Sequence, residues 1–155
     1  MHEHIEPLAR LIGTWRGAGV VSYPTMRADV AYTEETTFAE IGKPFLVYTQ
    51  RTWSESGQPM HTESGYLRSI GDQELELVIA HPTGQSELGS GEFTPSEDAL
   101  FISTDAEVRN TATAKRVDRI VRSLAVRGDT LTYDMAMATA HVGLTRHLHA
   151  ELTRS

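Results

Sequence analysis

Gly13-Thr14-Trp15-Arg16-Gly17-Ala18-Gly19, "GTWRGAG", spaces three glycines and one tryptophan as G-x-W-x-G-x-G. Such a stretch reads either as a loop that cradles phosphate or as the first strand of a barrel. A dinucleotide fingerprint needs a strand before its glycines, a helix after them and an acidic residue further on, and a P-loop needs a lysine. Here a helix-patterned segment precedes, a β-rich segment follows, and the stretch holds no lysine. The strand reading fits better. Gly17 and Gly19, at alternate positions, let a strand bend or admit a close second backbone. Gly13 opens the strand, and Trp15 is expected to close one barrel end beneath the helix.

Outward from this motif, period-2 alternation recurs between turn signals. Val30, Tyr32 and Phe38 share a parity interrupted by Glu34; Phe45, Val47 and Trp53 oppose Leu46 and Tyr48. Leu75, Leu77 and Ile79 alternate with Glu74 and Glu76, and Leu131, Tyr133, Met135 and Met137 alternate with Thr132, Asp134 and Ala136. Ser56-Gly57, Gly71-Asp72, Pro82-Thr83-Gly84 and Gly128-Asp129 punctuate these runs. The pattern predicts an all-β chain of about ten short strands, an antiparallel barrel or sandwich forming one domain over residues 1–155. Only "EHIEPLARLIG" carries a helical stripe, with Ile5, Leu8 and Leu11-Ile12 on one side and Pro7 near its start. A barrel of about ten strands is too wide for its own side chains to fill, so a small ligand inside is expected.

Fourteen Lys+Arg against 21 Asp+Glu give a net charge of −7. That balance argues against nucleic acid and anionic membrane as partners. The absence of cysteine excludes disulfides, zinc-thiolate sites, iron–sulfur clusters and cysteine nucleophiles. The N-terminal stretch carries acidic residues without a long apolar core, and no apolar run is long enough to span a bilayer, so a cytoplasmic protein is expected.

Taken in order, "GTWRGAG" (13–19), "YPTMR" (23–27), "GKPFLVYTQ" (42–50), "HTESGYLR" (61–68), "AHPTG" (80–84), "TAK" (113–115) and "HLHAEL" (147–152) resemble the nitrobindin family across the whole chain. The resemblance implies an up-and-down barrel like that of fatty-acid-binding proteins and lipocalins. It also implies one b-type haem per chain, with nitric oxide and peroxynitrite as small-molecule ligands and isomerisation of peroxynitrite to nitrate as the activity. Nothing in the sequence separates a monomer from a homodimer.

Seven histidines are candidates for the iron. His2 and His4 lie at the terminus, His61 reads as a surface strand residue, His81 as a turn residue before Pro82, and His141 as a loop residue. In a regular strand His147 and His149 share a face with Thr145 and Glu151, opposite Leu144, Leu148 and Leu152. The resemblance assigns the axial position, and with it catalysis, to His147, with His149 the competitor. It likewise assigns a haem contact to Lys115, in "TATAKRVDR", where the residues alone suggest a solvated strand charge. Met135 and Met137 read as core or pocket lining. No general base is nominated. Two other functions stay open: a carrier of a fatty acid or other apolar ligand, using one of Arg51, Arg68, Arg119 and Arg122, and a nitric-oxide or haem sensor. The nucleophile elbow of a hydrolase is missing.

Overall fold

The computed structural model describes all 155 residues. A short helix, Glu6–Leu11, leads into ten strands: β1 Gly13–Val21, β2 Val30–Glu40, β3 Phe45–Ser54, β4 Pro59–Gly71, β5 Glu74–Ala80, β6 Gln85–Pro95, β7 Ala99–Asn110, β8 Val117–Arg127, β9 Thr130–Thr139 and β10 Thr145–Arg154. Each strand pairs antiparallel with its sequence neighbours, and β1 pairs with β10, so the sheet closes into an up-and-down barrel. No helix is long and apolar enough to cross a membrane.

The helix is a 3₁₀ helix rather than an α-helix. Its apolar residues explain the difference: Ile5, Leu8 and Leu11 recur every third position, the 3₁₀ period, and all three are fully buried. They cap one barrel end together with Trp15, whose indole N–H donates to the Leu11 carbonyl at 2.9 Å. The Arg154 guanidinium lies 4.2 Å from the Trp15 ring centroid and donates to the carbonyls of Ile12 and Arg10. The last strand thereby ties down the first helix.

The opening motif lies on the closing seam. Gly13 has φ of 137°, a value that favours glycine, and makes the turn from helix to strand. A Cβ at Gly17 would stand 2.1 Å from the Glu151 carbonyl oxygen, and one at Gly19 would meet the Tyr32 ring at 2.5 Å. Side chains at these positions would hold β10 away from β1.

Inward-facing residues form three layers. Next to the helix lies an apolar plug that includes Trp15, Phe38, Leu46, Leu75, Leu100, Val126, Leu131 and Leu152. Across the middle runs a polar belt of Glu34, Thr36, Gln50, Glu63, Glu87 and Arg122, all buried. The Glu34 that interrupts the alternation of β2 is part of this belt and faces inward with Tyr32, Thr36 and Phe38. Beyond the belt, Val117, Ile120 and Met135 form a second small apolar cluster at the other end. Three register shifts occur at that end, at Thr52/Trp53 in the β3–β4 pairing, at Val117/Arg119 in β8 and at Arg146/Leu148 in β10. Bulges of this kind flare barrel rims and re-aim side chains.

Candidate functional site

The second end holds a cavity of about 230 Å³. Val21, Val117, Ile120, Met135, Met137 and Leu148 make its apolar wall, while Tyr32, Gln50, Thr52, His61, Glu63, His81 and His147 supply polar groups. Gln50 Oε1 and Tyr32 Oη are buried without hydrogen-bond partners.

His147 reaches this cavity through the bulge. Arg146 pairs with Ala136 and Leu148 with Met135, so His147 is the extra residue and both His147 and Leu148 line the cavity. Regular pairing resumes beyond it, with Ala150 and Leu152 buried and His149 opposite Asp134. His149 therefore sits on the outer face, its Nδ1 2.9 Å from Asp134 Oδ1. The two histidines do not share a face as they would in a regular strand. His147 Nδ1 lies 3.0 Å from the Ser22 carbonyl, and the Ser22 N–H donates to the His147 carbonyl at 2.8 Å. Tyr23 packs edge-on against the imidazole, with ring centroids 5.3 Å apart. Burial pulls the His147 pKa down, against the opposing pull of the Ser22 bond. The neutral ring thus donates from Nδ1 and keeps Nε2 as a free lone pair, which is how a protein prepares an imidazole for a metal.

Lys115 lies not in a strand but in the loop between β7 and β8, where it is exposed. Its carbonyl accepts from Gln85 Nε2 at 2.7 Å, which places its backbone beside a cavity-lining residue. His141 is exposed in the β9–β10 connection, and His4 lies beside Gly71 at the plugged end. Met135 and Met137 line the cavity.

His81 keeps its expected place at the turn before Pro82, but its side chain and that of His61 face the interior. His61 lines the cavity from β4, and His81 follows β5 with its side chain only 8% exposed. His81 Nε2 donates to Glu87 Oε1 at 2.6 Å, and Arg122 donates to both buried carboxylates, to Glu63 at 2.7 Å and to Glu87 at 2.5 Å. Tyr48 adds a 2.6 Å bond to Glu63. Burial pushes the Glu63 carboxyl up, but Arg122 and the neighbouring histidines outweigh it and hold it well below the usual carboxylate range. Glu34, with Thr36 and Tyr133 as its hydroxyl donors and no cation beside it, is pushed up by burial. Strand parity carried this information: Leu75, Leu77 and Ile79 extend to His81, and Leu67 extends back to Glu63 and His61.

The arginines weigh against a fatty-acid carrier. Arg51, Arg68 and Arg119 pair with Glu35, Glu76 and Asp105 on the outside. Arg122 alone is interior, and two carboxylates already occupy it.

The sequence matches the family model described as "THAP4-like, heme-binding beta-barrel domain" over residues 4–154. Among curated relatives, a protein of Nocardia farcinica named peroxynitrite isomerase is 44% identical, covering 99% of this chain and 92% of the relative. Peroxynitrite isomerase 1 of Rhodococcus jostii is 46% identical over 95% of this chain and 82% of its own length. The crystal structure of Rv2717c from M. tuberculosis superposes with a TM-score of 0.97 at 37% identity, covering 100% of this chain and 99% of that one.

Proposed function

This chain belongs to the family of THAP4-like, heme-binding β-barrel domains, and from that premise we propose that it holds one haem b through His147 Nε2 and isomerises peroxynitrite to nitrate there. The observation that carries the reading is the β10 bulge, which turns His147 into the cavity with Nδ1 already bound to the Ser22 carbonyl. The residues fit the group: one oriented imidazole, apolar walls of valine, isoleucine, leucine and methionine, and an opening to solvent. Near relatives named for this activity support the substrate.

A bound haem would supply a Lewis-acidic iron, the chemistry that binds nitric oxide and weakens the O–O bond of peroxynitrite. The chain does the rest. His147 binds and Ser22 fixes its ring plane. The apolar wall keeps bulk water from the reacting anion. Tyr32 and Thr52 bring hydroxyl donors to the same wall for its oxygens. Nitrate contains the same atoms as peroxynitrite, so no external electron donor is needed. No cation lines the cavity, and the Lys115 ammonium, on the adjoining loop, is the charge available to a haem propionate.

Adding haemin to the haem-free protein tests the assignment. Wild type and His149→Ala are expected to give the same imidazole-ligated absorption spectrum, and His147→Ala to lose it. The wild-type holoprotein should accelerate peroxynitrite decay beyond free haemin with nitrate as the product. An unchanged His147→Ala spectrum would move the ligand elsewhere.

A further inference from the structure

On the cavity side of the polar belt, donor atoms of His61, Glu63 and His81 converge without a shared partner. His61 Nε2 lies 3.2 Å from His81 Nδ1 and 3.4 Å from Glu63 Oε2, and His81 Nδ1 lies 3.3 Å from Glu63 Oε2. We propose that His61, Glu63 and His81 form a binding site for a divalent ion of the zinc class, separate from His147 and open to the same cavity.

The argument begins with the triangle. Ligands of a tetrahedral zinc ion, at bonds of about 2.0–2.1 Å, stand about 3.3–3.4 Å apart. At the right angles of a six-coordinate ion the same bonds give about 2.9 Å. All three edges here match the tetrahedral value more closely. As hydrogen bonds they are poor, since a charge-assisted contact between nitrogen and carboxylate closes to about 2.7–2.9 Å. Proton counting reinforces the point. With Glu63 ionised, two N–H groups at most serve three edges, so one edge always opposes two lone pairs or two hydrogens. A cation at the centre satisfies all three atoms.

Two of the three ligands are also oriented from behind. His81 Nε2 donates to Glu87 at 2.6 Å, which leaves Nδ1 as the lone-pair nitrogen facing the triangle. This is the carboxylate–histidine–metal arrangement of zinc sites. Glu63 Oε1 is engaged by Tyr48 at 2.6 Å and Arg122 at 2.7 Å, which leaves Oε2 for the ion. His61 approaches from the rim of the cavity with its side chain about a third exposed (34%), which provides an entry path. Glu63 and Glu87 together outweigh Arg122 by one negative charge, so the locality favours a cation. Three protein ligands leave the fourth tetrahedral position facing the cavity, open to water or a small anion.

Haem-loaded and haem-free full-length protein, without an affinity tag, would be dialysed against zinc alone, and cobalt(II) would serve as an optical probe. One zinc per chain should be retained, and cobalt should give the intense visible bands of four-coordinate geometry. His61→Ala should weaken zinc binding by more than the roughly 10–100-fold seen for loss of a supporting partner alone. His81→Gln should do the same, and zinc should raise the melting temperature of wild type but not of either variant. His147→Ala should lose haem and keep zinc, so that the two sites fail independently. Failure to retain zinc would overturn the proposal, as would a pale six-coordinate cobalt spectrum. Retention undiminished in His61→Ala would do so too, because it places the ion elsewhere, for example on His2 and His4.

Discussion

Glu34 shows how one interior side chain sets a pH response. Its carboxyl sits within the barrel wall, bonded to Thr36 at 2.5 Å and Tyr133 at 2.6 Å, and burial raises its pKa. The folded state therefore holds this proton more tightly than the unfolded chain, where glutamate titrates near about 4.3. The stabilisation is complete below that value and is lost as pH rises through the higher folded value. Glu34→Gln removes the titration. The urea midpoint of the variant should gain on wild type as pH rises from about 4.3 through the higher folded value and hold that gain above it, and curves parallel throughout would refute this. Glu63 acts in the opposite sense: its lowered pKa gives stability that is present at neutral pH and lost as pH falls. Both carboxylates were hidden from a reading based on hydrophobic alternation, because this barrel has a polar middle layer. Their parity was legible, since Glu34 falls in step with Tyr32 and Phe38, and Glu63 with Leu67. What was missing was the expectation that an inward position could be charged, which only the partners Arg122, Tyr48 and Tyr133 explain.

Among the elements, β1 and β10 carry the most consequence. Gly17 admits the Glu151 carbonyl to a place that a Cβ would fill. Backbone on both sides leaves little room to yield, so Gly17→Ala should cost about 1–3 kcal/mol, read as a lower urea midpoint at unchanged slope. Gly143, with nothing within 4 Å of a built Cβ and no positive φ, is the control; Gly143→Ala should be neutral or stabilising by about 0.4–1 kcal/mol. The alternation of β5 and β9 predicted their inner faces directly. That of β10 misled, because one inserted residue reverses the face of everything beyond it. A bulge is decided by pairing with β9, which local sequence does not encode. Resemblance singled out His147, while the bulge explains how a histidine between Arg146 and Leu148 enters the cavity together with Leu148. The N-terminal helix is a milder case: the stripe of Ile5, Leu8 and Leu11 marked a helix, and the structure shows it as 3₁₀.

At the scale of the molecule, the interior is graded from an apolar plug, through a charged belt, to an open cavity, and each layer draws on strands distributed along the whole chain. The ring closes only where β1 meets β10, and Arg16 bonds Ser155 across 139 positions of sequence. Joining such distant segments carries a loop-closure entropy and slows folding. The seam also carries His147, on the last strand to be made. A nascent chain leaving the ribosome therefore presents nine strands' worth of apolar surface before His147, the proposed iron ligand, has been made. If His147 is the ligand, that places haem uptake after β10 has closed the ring.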